Sequence, residues 1–129
     1  ERQRQLWMDL SLNLKSIIAQ QLVPTPDGQG RKAVIEVLIN SPLMSDHIRK
    51  GDVHLIKELM KKSTELGMCT FDQALFNLYS EGEITYEDAL SHADSPNDLR
   101  LMIKLDQETD AKHLGEEASN FSIQKDNQY

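Results

Sequence analysis

The sequence holds one cysteine, Cys69, among 129 residues, so no internal disulfide can form, in agreement with a reducing compartment. No apolar run approaches the roughly 18 residues that a membrane-spanning helix needs, and no signal peptide is recognisable. Positive charge is also short: Lys and Arg total 14 against 21 Asp and Glu, a net charge of -7 that opposes binding to a polyanion unless the cations share one face. No such face is evident, so nucleic acid is not an expected partner. These absences predict a soluble, cytoplasmic chain. Missing too is any GxxxxGK followed by Ser or Thr, the loop whose backbone N–H groups wrap nucleotide phosphates. The nearest glycine cluster, Asp27-Gly28-Gln29-Gly30-Arg31, lies between two predicted strands and reads as a hairpin turn.

What is present suffices for one modest core, with 39% hydrophobic residues. The chain opens on Glu1 and runs directly into ERQRQLWMDLSLNLK, helical in pattern with no capping residue before it, as expected of a piece of something longer. Between Leu6 and Ile18 the residues Leu6, Trp7, Leu10, Leu14, Ile17 and Ile18 recur at helical spacing. IIAQQLVP and RKAVIEVLI, joined by TPDGQG, predict an antiparallel hairpin over Ile18–Val23 and Lys32–Ile39. Both sides of the second strand are largely apolar, which predicts a hairpin covered on both faces, as an edge of a larger sheet would be.

From Ser41 the period turns helical and the starts are well marked. Ser41-Pro42 is an N-cap followed by proline at the first helical position; Gly51 ends that helix, and Asp52 caps the next. Its expected buried stripe is Leu55, Ile56, Leu59, Met60 and Leu66, with Gly67 as stop. Thr70-x-x-Gln73 is a capping box, Thr85-x-x-Asp88 varies it, and Ser95-Pro96-Asn97-Asp98 repeats it. Phe71, Ala74, Leu75, Leu78 and Tyr79 should face inward. The expected fold is α+β and mostly α: a helix and a hairpin over residues 1–40, then about five short helices over 41–105. Residues 106–129, with six acids and two lysines, are too polar to repay ordering and predict a disordered acidic tail.

Chemistry is harder to find. The four histidines lie far apart, with no i, i+4 pair, so no metal site is expected. Cys69 sits just before a capping threonine, where a helix N-terminus lowers a thiol pKa, but it has no fixed histidine partner and reads as structural. The carboxylate pairs Glu87-Asp88 and Glu116-Glu117 fall in polar segments, which supply no burial to shift a pKa. Thr70 to Ala93 has a helix-turn-helix look, yet its second helix, TYEDALSHA, has no Arg or Lys to meet phosphate. The basic cluster of Lys57, Lys61 and Lys62 with Arg49 and Lys50 reads as a solvated helix face or a protein contact. No catalytic residue, cofactor site or metal site is expected in this chain.

The run SIIAQQLVPTPDGQGRKAVIEVLINSPLMSDHIRKG, followed by ELGMCTFDQALFNLYSEGEITYEDAL, resembles the C-terminal part of the type IV pilus retraction ATPases. ADSPNDLRLMIKL is similar to the PilU branch more than to PilT, and the resemblance covers about Asp9 to Leu105. It implies that Leu6 to Ile39 ends a RecA-like P-loop ATPase core and that Ser41 to Leu105 is a helical C-terminal subdomain. It also implies a parent chain that binds ATP and Mg upstream and forms a homo-hexamer. That parent acts as an accessory motor for twitching motility, cytoplasmic and peripheral at the inner-membrane pilus machine. The partners implied are a PilT-type retraction ATPase and the inner-membrane pilus platform protein.

PilT's retraction-associated helix AIRNLIRE aligns with Leu43 to Lys50; Ile48 and Arg49 match, while Ser45 replaces the first arginine and Lys50 the glutamate. Ile48, Arg49 and Lys50 are therefore the expected partner-contact and force-coupling residues. The rival expectation is a free-standing helical adaptor that binds protein through a groove, with no motor attached.

Overall fold

The computed structural model describes residues 1–123, with side chains through residue 118. Helix α1 (Arg2–Asn13) leads into strands β1 (Ser16–Pro24) and β2 (Arg31–Ile39), then α2 (Pro42–Lys50), α3 (Val53–Lys62), a 3-10 turn at Thr64–Leu66, α4 (Phe71–Ser80), α5 (Tyr86–His92) and α6 (Pro96–Ile123). The architecture is six α-helices, among the described residues, around one two-stranded antiparallel hairpin.

Helical spacing carries α1 only to Asn13, because Leu14 already has extended backbone (ψ 134°) and the β-branched pair Ile17-Ile18 enters β1. The strands pair from Ser16 with Ile39 to Pro24 with Arg31, one or two residues beyond three of the predicted ends and level with the fourth at Ile39. Their turn is built as its residues dictate. Thr25 Oγ1 and the Gln29 N–H both donate to Asp27 Oδ1, and Gly28 supplies the left-handed step at φ 71°. Val23, Val34 and Leu38 point to the helices and are buried. The opposite face, with Ile18 (69% exposed), Leu22 and Ile35, is open within the described residues, so the expectation of cover on both sides is not met by this chain's own helices.

Two apolar clusters share the inner face of β2. One joins Val23 and Val34 to Phe71 and Leu75 of α4, Ile84, Ala89 of α5, and Leu99 and Ile103 of α6. The other is rich in methionine: Met44, Met60 and Met68 enclose Leu38 and Ile48. Between Val34 and Leu38 on that same face stands Glu36, at the seam of the clusters.

The caps follow the sequence in part. Ser41 Oγ accepts from the Met44 N–H at 3.2 Å, Thr70 and Gln73 form the reciprocal box, and Thr85 Oγ1 accepts from the Asp88 N–H. Asp52 makes no side-chain cap. The start of α6 is held from a distance: Asp72, buried on α4, accepts the N–H groups of Asp94 and Ser95 at 2.8 and 3.0 Å. In the α3 stripe Met60 is buried and Ile56 and Leu59 partly so. Leu55 is exposed on α3, and Leu66 is exposed because α3 ends at Lys62 and the 3-10 turn takes it out of the helical stripe.

The expected disordered tail requires correction as far as Ile123, since α6 runs unbroken through 106–123. The cost of a helix lies in its first turn, and that turn is already fixed here by the burial of Leu99 and Ile103. Extension through Gln107, Glu108, Ala111, Lys112 and Leu114, all good helix formers, needs no further apolar burial. Residues 124–129 of that expectation lie outside the described residues.

Candidate functional site

Helix α2 is positioned by three devices. Its cap fixes the start, Met44 and Ile48 bury one face at i, i+4 spacing, and Ser45 Oγ donates to the Ser11 carbonyl of α1 at 2.6 Å. Asn40 Nδ2 reinforces the same junction by donating to the carbonyls of Ser11 and Leu14. Ser45 is thus a clasp between helices. Ile48, 4% exposed, belongs to the methionine-rich cluster and cannot touch a partner directly, so its predicted surface role is corrected to that of an anchor. Arg49 and Lys50, its neighbours in sequence, are exposed.

Both cations reach back to Asp46, at 2.5 and 2.6 Å. The hydrogen bond from Lys50, followed by that from Arg49, pulls the Asp46 carboxyl down to about 2. They also sit where the negative end of the α2 dipole favours positive charge. Gly51 then ends the helix at φ 72°, and a methyl group on it would lie 3.3 Å from Trp7 Nε1. The indole therefore lies against the helix end.

Between the start of α1 and the end of α2 this packing leaves an open cleft of about 1050 Å³, lined by Glu1, Arg4, Trp7, Met8, Arg49, Lys50 and Gly51. Arg4 and the Trp7 N–H have no partner among the described residues. Counting Asp46, three side-chain cations face two carboxylates here, in a chain whose net charge is -7. Sequence reading found Arg49 and Lys50 but missed Arg4 and Trp7, which join them only through the crossing of α1 and α2. The remaining basic cluster behaves as a salt-bridged helix face, with Lys61 paired to Glu58 and Asp98.

A second polar centre lies at the seam of the two clusters. Lys57 of α3 bonds Glu36 at 2.5 Å and Asp94 at 3.2 Å, and the Phe71 N–H donates to the same Glu36 oxygen at 3.4 Å. A small cavity of about 120 Å³, with Ile17, Leu38, Ile56 and Met60 in its walls, adjoins them. Burial works against the Lys57 charge, but the hydrogen bond and charge of Glu36, joined by Asp94, leave its pKa raised. Neighbouring Cys69 exchanges backbone hydrogen bonds with Val37 as an isolated bridge on the outer edge of β2. Burial, then the charge of Glu36, pushes its thiol pKa up, the opposite of an activated nucleophile. Among the described residues no group of three or more His, Cys, Asp or Glu is placed to hold a metal, and no helix is long and apolar enough to cross a membrane.

No family model matches the chain. It is 68% identical over 124 residues to the type IV pilus ATPase PilU of Pseudomonas aeruginosa, a match that spans 96% of this chain and 32% of that protein. It is 34% identical over 90 residues to the type IV pilus retraction ATPase PilT of the same organism, covering 70% of this chain and 26% of PilT. Among solved structures, the pilus retraction motor PilT with bound ADP superposes with a TM-score of 0.66 at 33% identity, over 78% of this chain and 27% of that one. The chain spans about a third or less of the length of these relatives. It belongs to the type IV pilus ATPases that include PilU and PilT, and it corresponds to a C-terminal segment of those longer proteins.

Proposed function

We propose that this chain is the C-terminal end of a PilU-like accessory motor that retracts type IV pili in twitching motility. In this reading residues 1–40 close a RecA-like core, residues 41–105 form the helical subdomain, and ATP with Mg is bound and hydrolysed upstream. The parent forms a homo-hexamer in the cytoplasm against the inner membrane, where a PilT-type ATPase and the pilus platform protein are its partners. This segment contributes subunit contact and force transmission. The likeness to PilU and to ADP-bound PilT supports the reading.

The observation that carries the segment's own role is the placement of Ile48 beside Arg49 and Lys50. Ile48 is locked in the cluster that holds Leu38 of the hairpin, while the two cations next to it are exposed. A displacement of the hairpin therefore moves that charged surface with it, because a packed core transmits strain.

The test uses the full-length natural protein in a pilus-bearing host. Arg49→Glu combined with Lys50→Glu is expected to abolish twitching in a protein that circular dichroism shows to be folded. Undiminished twitching would sink the role given to this surface. Tight ATP binding by residues 1–129 alone, read by calorimetry, would overturn the placement of the nucleotide site upstream.

A further inference from the structure

Beyond Leu105 helix α6 continues with no packing partner among the described residues, and its residues through 118 are exposed. Over 106–118 it carries five acids against one lysine. Asp106, Asp110, Leu114 and Glu117 recur at steps of four, four and three residues, which puts them on a single stripe. Asp106, Asp110 and Glu117 have no ion pair among the described residues, and like charges at i, i+4 weaken a helix rather than support it. Leu114 stands among them 68% exposed. The stripe thus combines acids with one apolar side chain, in a segment that the described residues leave uncovered.

The cleft between α1 and α2 has the complementary chemistry. Beside one lining carboxylate, Glu1, it presents Arg4 without a partner among the described residues, Arg49 and Lys50 sharing Asp46, and an apolar floor of Trp7 and Met8 with a free indole N–H. The net negative charge of each copy opposes approach at long range, but at physiological salt that repulsion is screened beyond about 8 Å while contacting pairs are not.

We propose that the acidic stripe of α6 from one copy seats in the Arg4–Trp7–Lys50 cleft of a second copy, with Leu114 against Trp7 and Met8 and the flanking carboxylates on the cations. This gives chemistry to the subunit contact proposed above, and rests on that reading only for the number of copies joined.

The test is zero-length carbodiimide coupling of the full-length natural protein, mixed from nitrogen-15-labelled and unlabelled copies and read by mass spectrometry. The Lys50–Asp46 pair, 2.6 Å apart, is the internal control that coupling works. Expected are mixed-isotope links from Lys50 to Asp106, Asp110 or Glu117. Their yield should fall about tenfold in Arg4→Glu, the equivalent of about 1.4 kcal/mol. It should recover when Arg4→Glu copies are mixed with Asp110→Lys copies. Far-ultraviolet circular dichroism and thermal unfolding confirm that each variant is folded. The proposal is overturned if Lys50 links to the stripe only within one copy, links to other acids instead, or links equally well in Arg4→Glu. Twitching scores the retraction reading separately, so either can fail while the other stands.

Discussion

Lys57 Nζ and Glu36 Oε1 lie 2.5 Å apart and join α3 to the inner face of β2, at the seam where the two apolar clusters meet. Glu36 is the more enclosed partner, and the Phe71 N–H is its other contact. Lys57→Met should therefore cost about 1–3 kcal/mol by leaving a largely buried carboxylate short of its cation. Replacing both partners with apolar residues of similar shape should cost less than Lys57→Met alone. Denaturant midpoints of the two single variants and the double variant decide this, and an additive double would refute the pairing.

Gly51→Ala should destabilise the chain by about 1–2 kcal/mol, since the residue sits in the left-handed region at φ 72°. The added methyl must also displace Trp7, 3.3 Å away. A shift in tryptophan emission is expected alongside the lowered thermal midpoint, and Trp7 is the only tryptophan to report it.

Asp72→Ala removes the acceptor of the Asp94 and Ser95 N–H groups and should cost about 1–2 kcal/mol, as loss of an N-cap does. Amide hydrogen exchange should rise at Asp94 and Ser95 first. Exchange that rises uniformly across the fold would deny the carboxylate a local role.

Asp46 gives a sign for acid sensitivity. Its folded carboxyl lies at about 2 against an ordinary 3.8, so the stabilisation from Lys50 and Arg49 is present above about 4 and is lost as pH falls toward 2. Asp46→Asn should flatten the stability profile in that window. It should leave the profile near neutrality with the same slope as the parent's.

Cys69 should alkylate slowly at neutral pH, because burial and then the Glu36 charge keep its thiol protonated. Glu36→Gln removes the second of these causes and should bring the onset of alkylation to lower pH. A rate at pH 7 equal to that of an exposed thiol would contradict the placement.

The helix starts were the most legible feature of the sequence, because a cap is written in three or four adjacent letters: Ser41-Pro42, Thr70 with Gln73, and Thr85 are all used as read. The hairpin followed from TPDGQG and the flanking β-branched residues. Relationships between distant letters escaped. Asp72 caps a helix whose first residue lies over twenty positions away, and Met68 and Cys69, between a glycine stop and a capping threonine, supply a core side chain and a strand bridge. The aligned motif places Ile48 on the surface, whereas its spacing from Met44 marks it as core. Arg4 and Trp7 carried no motif at all, and their place in the cleft depends on how two helices cross.

At about 1.5 Å per residue, the 28 residues of α6 span roughly 42 Å, of which only the first turns are gripped by the core. Such a rod behaves as a pointer on a short pivot. A tilt of about 5° where Leu99 and Ile103 are seated displaces a point some 25 Å along by about 2 Å, so minor repacking at the root is magnified into a shift the size of a hydrogen bond at the far end.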